Sequence, residues 1–140
     1  CWDILKQFHF NSPPTICLGR SQHIMDKYQV HKKILNRKNI KIGDYIYSKY
    51  FNNDTDTEYN LVLNSFPYNC EDNITHYILW LNPKIFSNKK INEIEIKNYI
   101  CYKLFNNDYE NIDKNCIYFQ NITALQSIKA IPHIQIFVRN

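Results

Sequence analysis

The sequence predicts a single α+β domain over residues 1–140, with a mainly antiparallel sheet flanked by helices. A chain of 140 residues suits one domain and is long enough to bury a core. Hydrophobic residues make up 44% and aromatic residues 15% of the chain, an apolar content that disordered chains lack. Short β-prone runs alternate with stretches of helical period. The chain begins at Cys1 and not at Met, which indicates that a few N-terminal residues are missing.

The first half of the chain is mainly helical in its pattern. A first helix is predicted because apolar residues fall at helical spacing before a Pro-Pro pair: Trp2, Ile4, Leu5 and Phe8. Ser21 is placed to cap a second helix over residues 22–35, whose apolar side chains form one stripe. Residues 40–51 fit either a short helix or a strand. Residues 52–59 are polar and predict a loop.

The second half alternates strands with helical or polar segments. Strands are predicted at residues 61–63, 76–81, 116–119 and 131–139. A helix is predicted near residues 90–105, a loop at 106–114, and a turn or short helix at 121–128. In the last strand Ile134, Ile136 and Val138 occupy alternate positions, so they are expected to face the core.

The charge of the chain is modest and concentrated. The net charge of +4 arises from 17 Lys and Arg against 13 Asp and Glu, and the basic residues cluster in residues 27–41. A nucleic-acid groove usually interleaves such a cluster with aromatic side chains that stack on bases. Tyr28 is the only aromatic residue in this segment. A solvated helix face is therefore the favoured interpretation, and nucleic-acid binding is the less favoured one.

The sequence predicts an intracellular, cytoplasmic protein with no membrane partner. No apolar run reaches the ~18–20 residues that cross a bilayer, and no signal segment opens the chain. The five Cys residues are spread without a C-x-x-C pair, which favours reduced, buried thiols over a zinc site or a disulfide scaffold.

Common cofactor and catalytic motifs are absent from the sequence. With only Gly19 and Gly43, the chain has no P-loop or Rossmann phosphate loop, because both need several glycines. No G-x-S-x-G, H-E-x-x-H or EF-hand pattern occurs. The sequence therefore predicts no cofactor and no metal.

The candidate chemistry lies on the last predicted strand and around His76. Since side chains of a strand alternate, His133, Gln135, Phe137 and Arg139 share one face. A titratable imidazole, an amide and a fixed cation in one row suit a phosphate or carboxylate ligand. The alternative is a half-exposed edge strand without a site. His76 opens an earlier strand and is either a second site residue or a structural one.

One resemblance spans nearly the whole chain. Matching segments occur in order: Trp2, Leu18-Gly-Arg-Ser21, Leu63-Asn-Ser-Phe-Pro-Tyr68, His76-Tyr-Ile-Leu-Trp80, Tyr118-Phe-Gln-Asn121, Leu125-Gln-Ser-Ile128 and Pro132-His133. This order of features resembles the domain of unknown function 3605 family, best known from a fungal protein induced by N-acetylglucosamine. The resemblance implies little about mechanism.

A second resemblance concerns the candidate site. Asn64-x-x-Pro-Tyr68, the run that His76 leads, and Pro132-His133-Ile-Gln-Ile-Phe137 are similar to the histidine-triad (HIT) superfamily. Those proteins carry His-φ-His-φ-His on the last core strand, and the middle His attacks a nucleotide phosphate. His133 matches the first His, Gln135 stands at the nucleophile's position, and Phe137 at the third. A Gln amide is not nucleophilic, so this resemblance implies a HIT-like pocket without the classical catalysis.

Three functions follow from these residues. The first is a pocket for a phosphorylated sugar or nucleotide, with His76, His133 and Gln135 as hydrogen-bonding groups. Arg139 or Arg20 would then neutralise phosphate, and Tyr68 or Trp80 would pack on a ring. The second is a hydrolase or transferase that uses His76 or His133 as general acid–base. The third is an interaction module that binds another protein through the basic helix and exposed aromatic side chains.

Overall fold

The computed structural model describes residues 1–15, 18–52, 54–86, 89–121, 126, 128 and 131–140. These residues form six helices: α1 (Trp2–Leu5), α2 (Gln22–Arg37), α3 (Ile42–Tyr50), α4 (Pro83–Phe86), α5 (Glu93–Leu104) and α6 (Tyr109–Asn115). They also form four strands: β1 (Tyr59–Leu63), β2 (Ile74–Leu81), β3 (Cys116–Phe119) and β4 (His133–Arg139). None of the helices in these ranges is long and apolar enough to cross a membrane.

The four strands form one antiparallel sheet in the order β1-β2-β4-β3. The predicted α+β class with a mainly antiparallel sheet is therefore confirmed. The register pairs Trp80 with His133 and Ile78 with Gln135. Because side chains alternate along each strand, this register brings the polar residues of β4 next to the aromatic and aliphatic residues of β2 on the same face.

Strand β4 is interior, and both of its faces are buried. Ile134 and Ile136 pack into a core with residues of β2, α5 and α6, as the alternation predicts. Phe137 packs on the opposite face with Phe119 and Leu5 of α1. The alternative of a half-exposed edge strand is wrong, because β2 pairs with β4 on one side and β3 on the other.

Local side chains explain where most helices begin. The Ser21 hydroxyl accepts the Ile24 N–H at 3.3 Å and caps α2, as the sequence predicts. Residues 42–50, which fitted helix or strand, form α3. The predicted loop at residues 106–114 is wrong, because Asp108 accepts the Asn111 N–H at 3.0 Å and caps α6. The predicted turn or short helix at residues 121–128 lies largely outside the described residues.

The cysteines differ from the expectation of reduced thiols at one pair. Cys1 and Cys70 form a disulfide with their Cα atoms 5.1 Å apart, so the prediction is wrong for these two residues. Cys101 and Cys116 are free and buried, as expected. Burial raises the pKa of both thiols, which keeps them protonated and unreactive at neutral pH.

Candidate functional site

A cavity of about 210 Å³ lies between the sheet and the two helices α2 and α3. Its polar base is formed by His133 and Gln135 of β4, beside Trp80 of β2. Four aromatic side chains from outside the sheet contribute to its walls: Tyr28, Tyr45, Tyr50 and Phe66. Two cations, Arg20 and Lys49, also line it, whereas no carboxylate is found among its described lining residues.

His133 offers an acceptor nitrogen to this cavity. The side chain is only 5% exposed, and its Nδ1 lies 2.8 Å from the Ile131 carbonyl oxygen. Because a carbonyl oxygen can only accept, Nδ1 carries the proton and Nε2 keeps its lone pair. No described residue bonds to Nε2. Burial lowers the pKa of His133, so the ring is neutral at pH 7.

His76 has both ring nitrogens occupied. The Tyr68 N–H donates to Nδ1 at 3.0 Å, so Nε2 carries the proton and donates to Gln135 Oε1 at 2.6 Å. The pKa of His76 is lowered to about 4, chiefly by burial; the bond to Gln135 acts in the opposite direction, and the charge of Arg20 adds to the lowering. His76 is therefore a neutral group that holds its neighbours in position.

The bond from His76 fixes the orientation of Gln135. Since Gln135 Oε1 accepts the His76 N–H, the amide NH₂ of Gln135 is the end that has no partner among the described residues. Gln135 is 4% exposed and lines the cavity. The cavity thus meets an amide donor beside the imidazole acceptor of His133, and neither group carries a charge at pH 7.

Arg20 supplies a fixed positive charge next to these neutral groups. Its Nε donates to the Phe66 carbonyl oxygen at 2.7 Å, and its Cζ lies 5.0 Å from the Tyr28 ring centre and 5.4 Å from that of Tyr68. This bond engages only Nε and leaves the two terminal nitrogens without a described hydrogen-bond partner.

Residues 2–139 match the family described as protein of unknown function (DUF3605). The chain belongs to this DUF3605 family. No curated protein matches it. The crystal structure of HTC1 is similar to this chain, with a TM-score of 0.58 and 20% sequence identity over 88% of this chain and 76% of that chain. At that identity the likeness shows the fold alone.

The predicted site residues of this DUF3605 chain fall into two groups. The cavity is lined by Arg20, Trp80, His133 and Gln135, and His76 contacts it through Gln135. Arg139 lies elsewhere: its guanidinium donates to Asn115 Oδ1 at 3.1 Å and sits 4.7 Å from the Trp2 ring centre. Six positions of extended strand separate it from His133, or roughly 20 Å. The structure therefore does not bring Arg139 to the predicted phosphate face.

Two predicted aromatic residues take different roles. The Tyr68 ring packs 4.7 Å from the centre of the His76 ring, and its hydroxyl accepts the Asn121 amide at 2.9 Å, so it supports the site from behind. The Trp80 ring lies 5.0 Å from His133 and stacks on Tyr50 at 5.9 Å. The indole Nε1 of Trp80 is buried, and no described residue forms a hydrogen bond with it. Buried donors without a partner are uncommon in proteins.

Sequence reasoning missed the helical wall of the cavity. Tyr45 and Lys49 are four residues apart, which places them on the same side of α3. This spacing was readable in the sequence, but the segment fitted helix or strand equally well. Phe66 and Tyr28 pack against each other with ring centres 5.0 Å apart, a contact between distant segments that no local pattern indicates.

Proposed function

We propose that this chain binds a small, ring-containing phosphorylated molecule, in the class of sugar phosphates and nucleotides. The observation that carries the proposal is the composition of the cavity: two cations, no carboxylate among its described lining residues, neutral buried hydrogen-bonding groups and aromatic walls. Such a combination of apolar lining with few placed polar groups is typical of ligand sites.

The size of the cavity limits the ligand. Drug-sized molecules occupy pockets of roughly 300–1,000 Å³, and an engineered cavity of about 150 Å³ accommodates benzene. A volume of about 210 Å³ therefore suits a single ring with its substituents. A ring hydroxyl or N–H would donate to His133 Nε2, and a ring oxygen would accept from the Gln135 amide.

The charges orient that ligand. Arg20 is partly buried, and Lys49 is exposed with its Nζ over the rings of Tyr45 and Tyr50. The charge interaction with Tyr50 raises the pKa of Lys49, so its ammonium is cationic at neutral pH. A phosphate would bind at Arg20, because guanidinium forms strong charge-assisted bonds with it.

A screen of nucleotides, sugar phosphates and nucleotide sugars by thermal unfolding tests the proposal. A compound present at 100 times its dissociation constant adds about 2.7 kcal/mol to the free energy of unfolding. Arg20→Gln should weaken the best ligand at least about tenfold, since it removes charge-assisted hydrogen bonds.

Arg139→Gln is the matched control for Arg20→Gln. Both arginines donate to backbone carbonyl oxygens and pack on aromatic rings, but only Arg20 lines the cavity. Ligand affinity should be unchanged in Arg139→Gln. The proposal fails if no phosphorylated compound shifts the unfolding, or if the two variants weaken binding equally.

A second candidate function is acid–base catalysis on the same ligand by His133. The observation that favours it is the tautomer of His133, a residue that lines the cavity and whose neutral Nε2 lone pair has no described partner. Such a group can take a proton from an attacking hydroxyl or water, and general acid–base catalysis contributes about 10²–10⁴-fold. His76 is less suited, because both of its nitrogens are bonded.

Phosphorus NMR of each compound that binds in the screen tests this second candidate. His133→Asn should lower kcat by about 10²-fold or more, while the loss of the Nε2 acceptor should raise the ligand's dissociation constant by no more than about tenfold. Wild-type protein that leaves every bound compound intact over long incubation would exclude catalysis and leave the binding function in place.

The interaction module has less support. Exposed large apolar side chains are distributed over α1, α2, β1, α5 and α6 and the loop after α2, and do not mark one element: Ile4, Val30, Ile34, Ile40, Leu63, Ile94, Tyr102 and Tyr109. Single exposed apolar residues of this kind are ordinary on protein surfaces.

A further inference from the structure

A second, more open groove of about 630 Å³ adjoins the cavity. Tyr28 and Ile42 line both spaces and form their common wall. The groove carries three lysines, Lys32, Lys33 and Lys41, against one carboxylate, Asp44. The cavity and the groove, which share this wall, are therefore both lined by more cationic than anionic side chains.

The Tyr28 ring holds two cations close to each other. Arg20 Cζ lies 5.0 Å from the centre of this ring, and Lys32 Nζ lies 5.0 Å from the same point. The two cations can therefore be separated by no more than twice that distance. Tyr28 is buried and packs on Phe66, so the ring that positions both cations is itself held in place.

Neither cation forms an ion pair with a described residue. Lys32 forms no hydrogen bond or ion pair with the described residues, and its contact with Tyr28 leaves its N–H donors available. Arg20 uses only Nε, for the Phe66 carbonyl. Since two like charges at this separation repel each other, an anion that contacts both gains more than either contact alone would give.

We propose that Lys32 forms a second anion subsite, and that the ligand of this chain carries two anionic groups, in the simplest form a diphosphate. The inference rests on the proposed function, with the ring in the cavity and the first phosphate at Arg20. The second phosphate then lies beyond Tyr28 and contacts Lys32. The flexible side chain of Lys32 allows its ammonium group to adjust to the position of this phosphate. At most twice 5.0 Å separates the two cations, so a single small molecule can contact both.

Calorimetric titration of inorganic phosphate and pyrophosphate tests the subsite without knowledge of the ring. Wild-type protein should bind pyrophosphate at least about tenfold more tightly than phosphate, because two cations contact it. Lys32→Gln should reduce that ratio to about threefold or less and leave phosphate affinity nearly unchanged.

Lys27→Gln is the matched control, since Lys27 is an exposed lysine of the same helix that lines neither space. It loses the same net charge and should keep the wild-type ratio. Equal ratios in the two variants overturn the subsite, because the preference for pyrophosphate would then reflect overall charge. A second outcome also overturns the subsite: phosphate binds and Arg20→Gln weakens it, but pyrophosphate binds no more tightly than phosphate. The proposed function would stand in that case. If neither ion nor any compound of the screen binds, both proposals fail.

Discussion

The buried imidazoles of His76 and His133 lie on paired strands and have opposite hydrogen-bonding roles. Backbone groups determine which nitrogen of each ring carries the proton. A backbone N–H faces Nδ1 of His76, so that ring is protonated at Nε2. A carbonyl oxygen faces Nδ1 of His133, so that ring is protonated at Nδ1. Consequently His76 donates to Gln135 and leaves the amide NH₂ as the end without a described partner, while His133 keeps Nε2 as an acceptor without a described partner.

The lowered pKa of His76 predicts a specific dependence of stability on pH. Its pKa is about 4 in the folded chain against 6.5 as the ordinary value, so the unfolded chain binds the extra proton between these limits. The contribution of His76 is fully present above pH 6.5 and is lost as the pH falls towards 4, by about 3 kcal/mol in total. Urea unfolding of the wild type at a series of pH values measures this loss.

His76→Asn is the comparison for that measurement, because its side-chain oxygen can still accept the Tyr68 N–H. Several carboxyl groups also titrate in this range, so the difference between the two pH profiles is the relevant quantity. The variant's profile should be flatter between pH 6.5 and 4. Parallel profiles would show that His76 titrates normally in the folded chain.

At the residue scale, the sequence predicted three side chains that the structure brings together, but not their protonation states. His76, His133 and Gln135 were all predicted as site residues, and all three lie at the cavity or contact it. Their tautomers depend on the Tyr68 N–H and the Ile131 carbonyl oxygen, whose positions follow from tertiary folding. A hydrogen bond to distant backbone cannot be read from residue types.

At the scale of elements, the cap of α2 is the local feature that positions Arg20 and the wall of the cavity. Ser21→Ala removes the acceptor for the Ile24 N–H and should lower the free energy of unfolding by about 1 kcal/mol. Ser48→Ala, on an exposed position of α3, is the control and should change it by less than about 0.5 kcal/mol. Chemical denaturation measures both; equal effects would contradict a capping role for Ser21.

Local signals decided which elements were predictable. Ser21 before a regular apolar stripe predicted a helix over residues 22–35, and α2 extends over Gln22–Arg37. Asp108 is a similar capping residue before α6. The segment 109–115 was nevertheless predicted as a loop, because its composition is polar and Ile112 is its buried residue. The conformation of α3 is explained by packing instead: Ile46 is buried against Ile78 and Trp80 of the sheet, a contact that its own sequence does not reveal.

At the scale of the whole molecule, the sheet separates a structural layer from the layer that carries the site. Ile134 and Ile136 face the large core with α5 and α6, whereas His133 and Gln135 face the cavity. The alternation in β4 predicted this division. It did not predict that the polar face is buried too, because that depends on α2 and α3 covering it. Because the alternation does not include the covering helices, it predicted Arg139 as a site residue and did not favour Arg20 over Arg139.

The division of the sheet predicts different effects for two neighbouring core residues. Phe137 stacks on the His76 ring, with centres 4.2 Å apart, while Ile136 points into the other layer. Ile136→Val and Phe137→Leu should each lower the free energy of unfolding, by about 1 kcal/mol. Only Phe137→Leu should loosen the His76–Gln135 bond, because only it removes a ring that holds the imidazole.

Imidazole ¹⁵N chemical shifts at neutral pH distinguish the two variants without requiring any ligand. In the wild type and in Ile136→Val, the shifts of His76 should show a single tautomer protonated at Nε2. In Phe137→Leu they should move towards the average of the two tautomers, while those of His133, held by the Ile131 carbonyl oxygen, stay unchanged. If both variants disturbed His76 equally, the two layers would be coupled through the sheet, and the site would depend on the whole core rather than on one face of it.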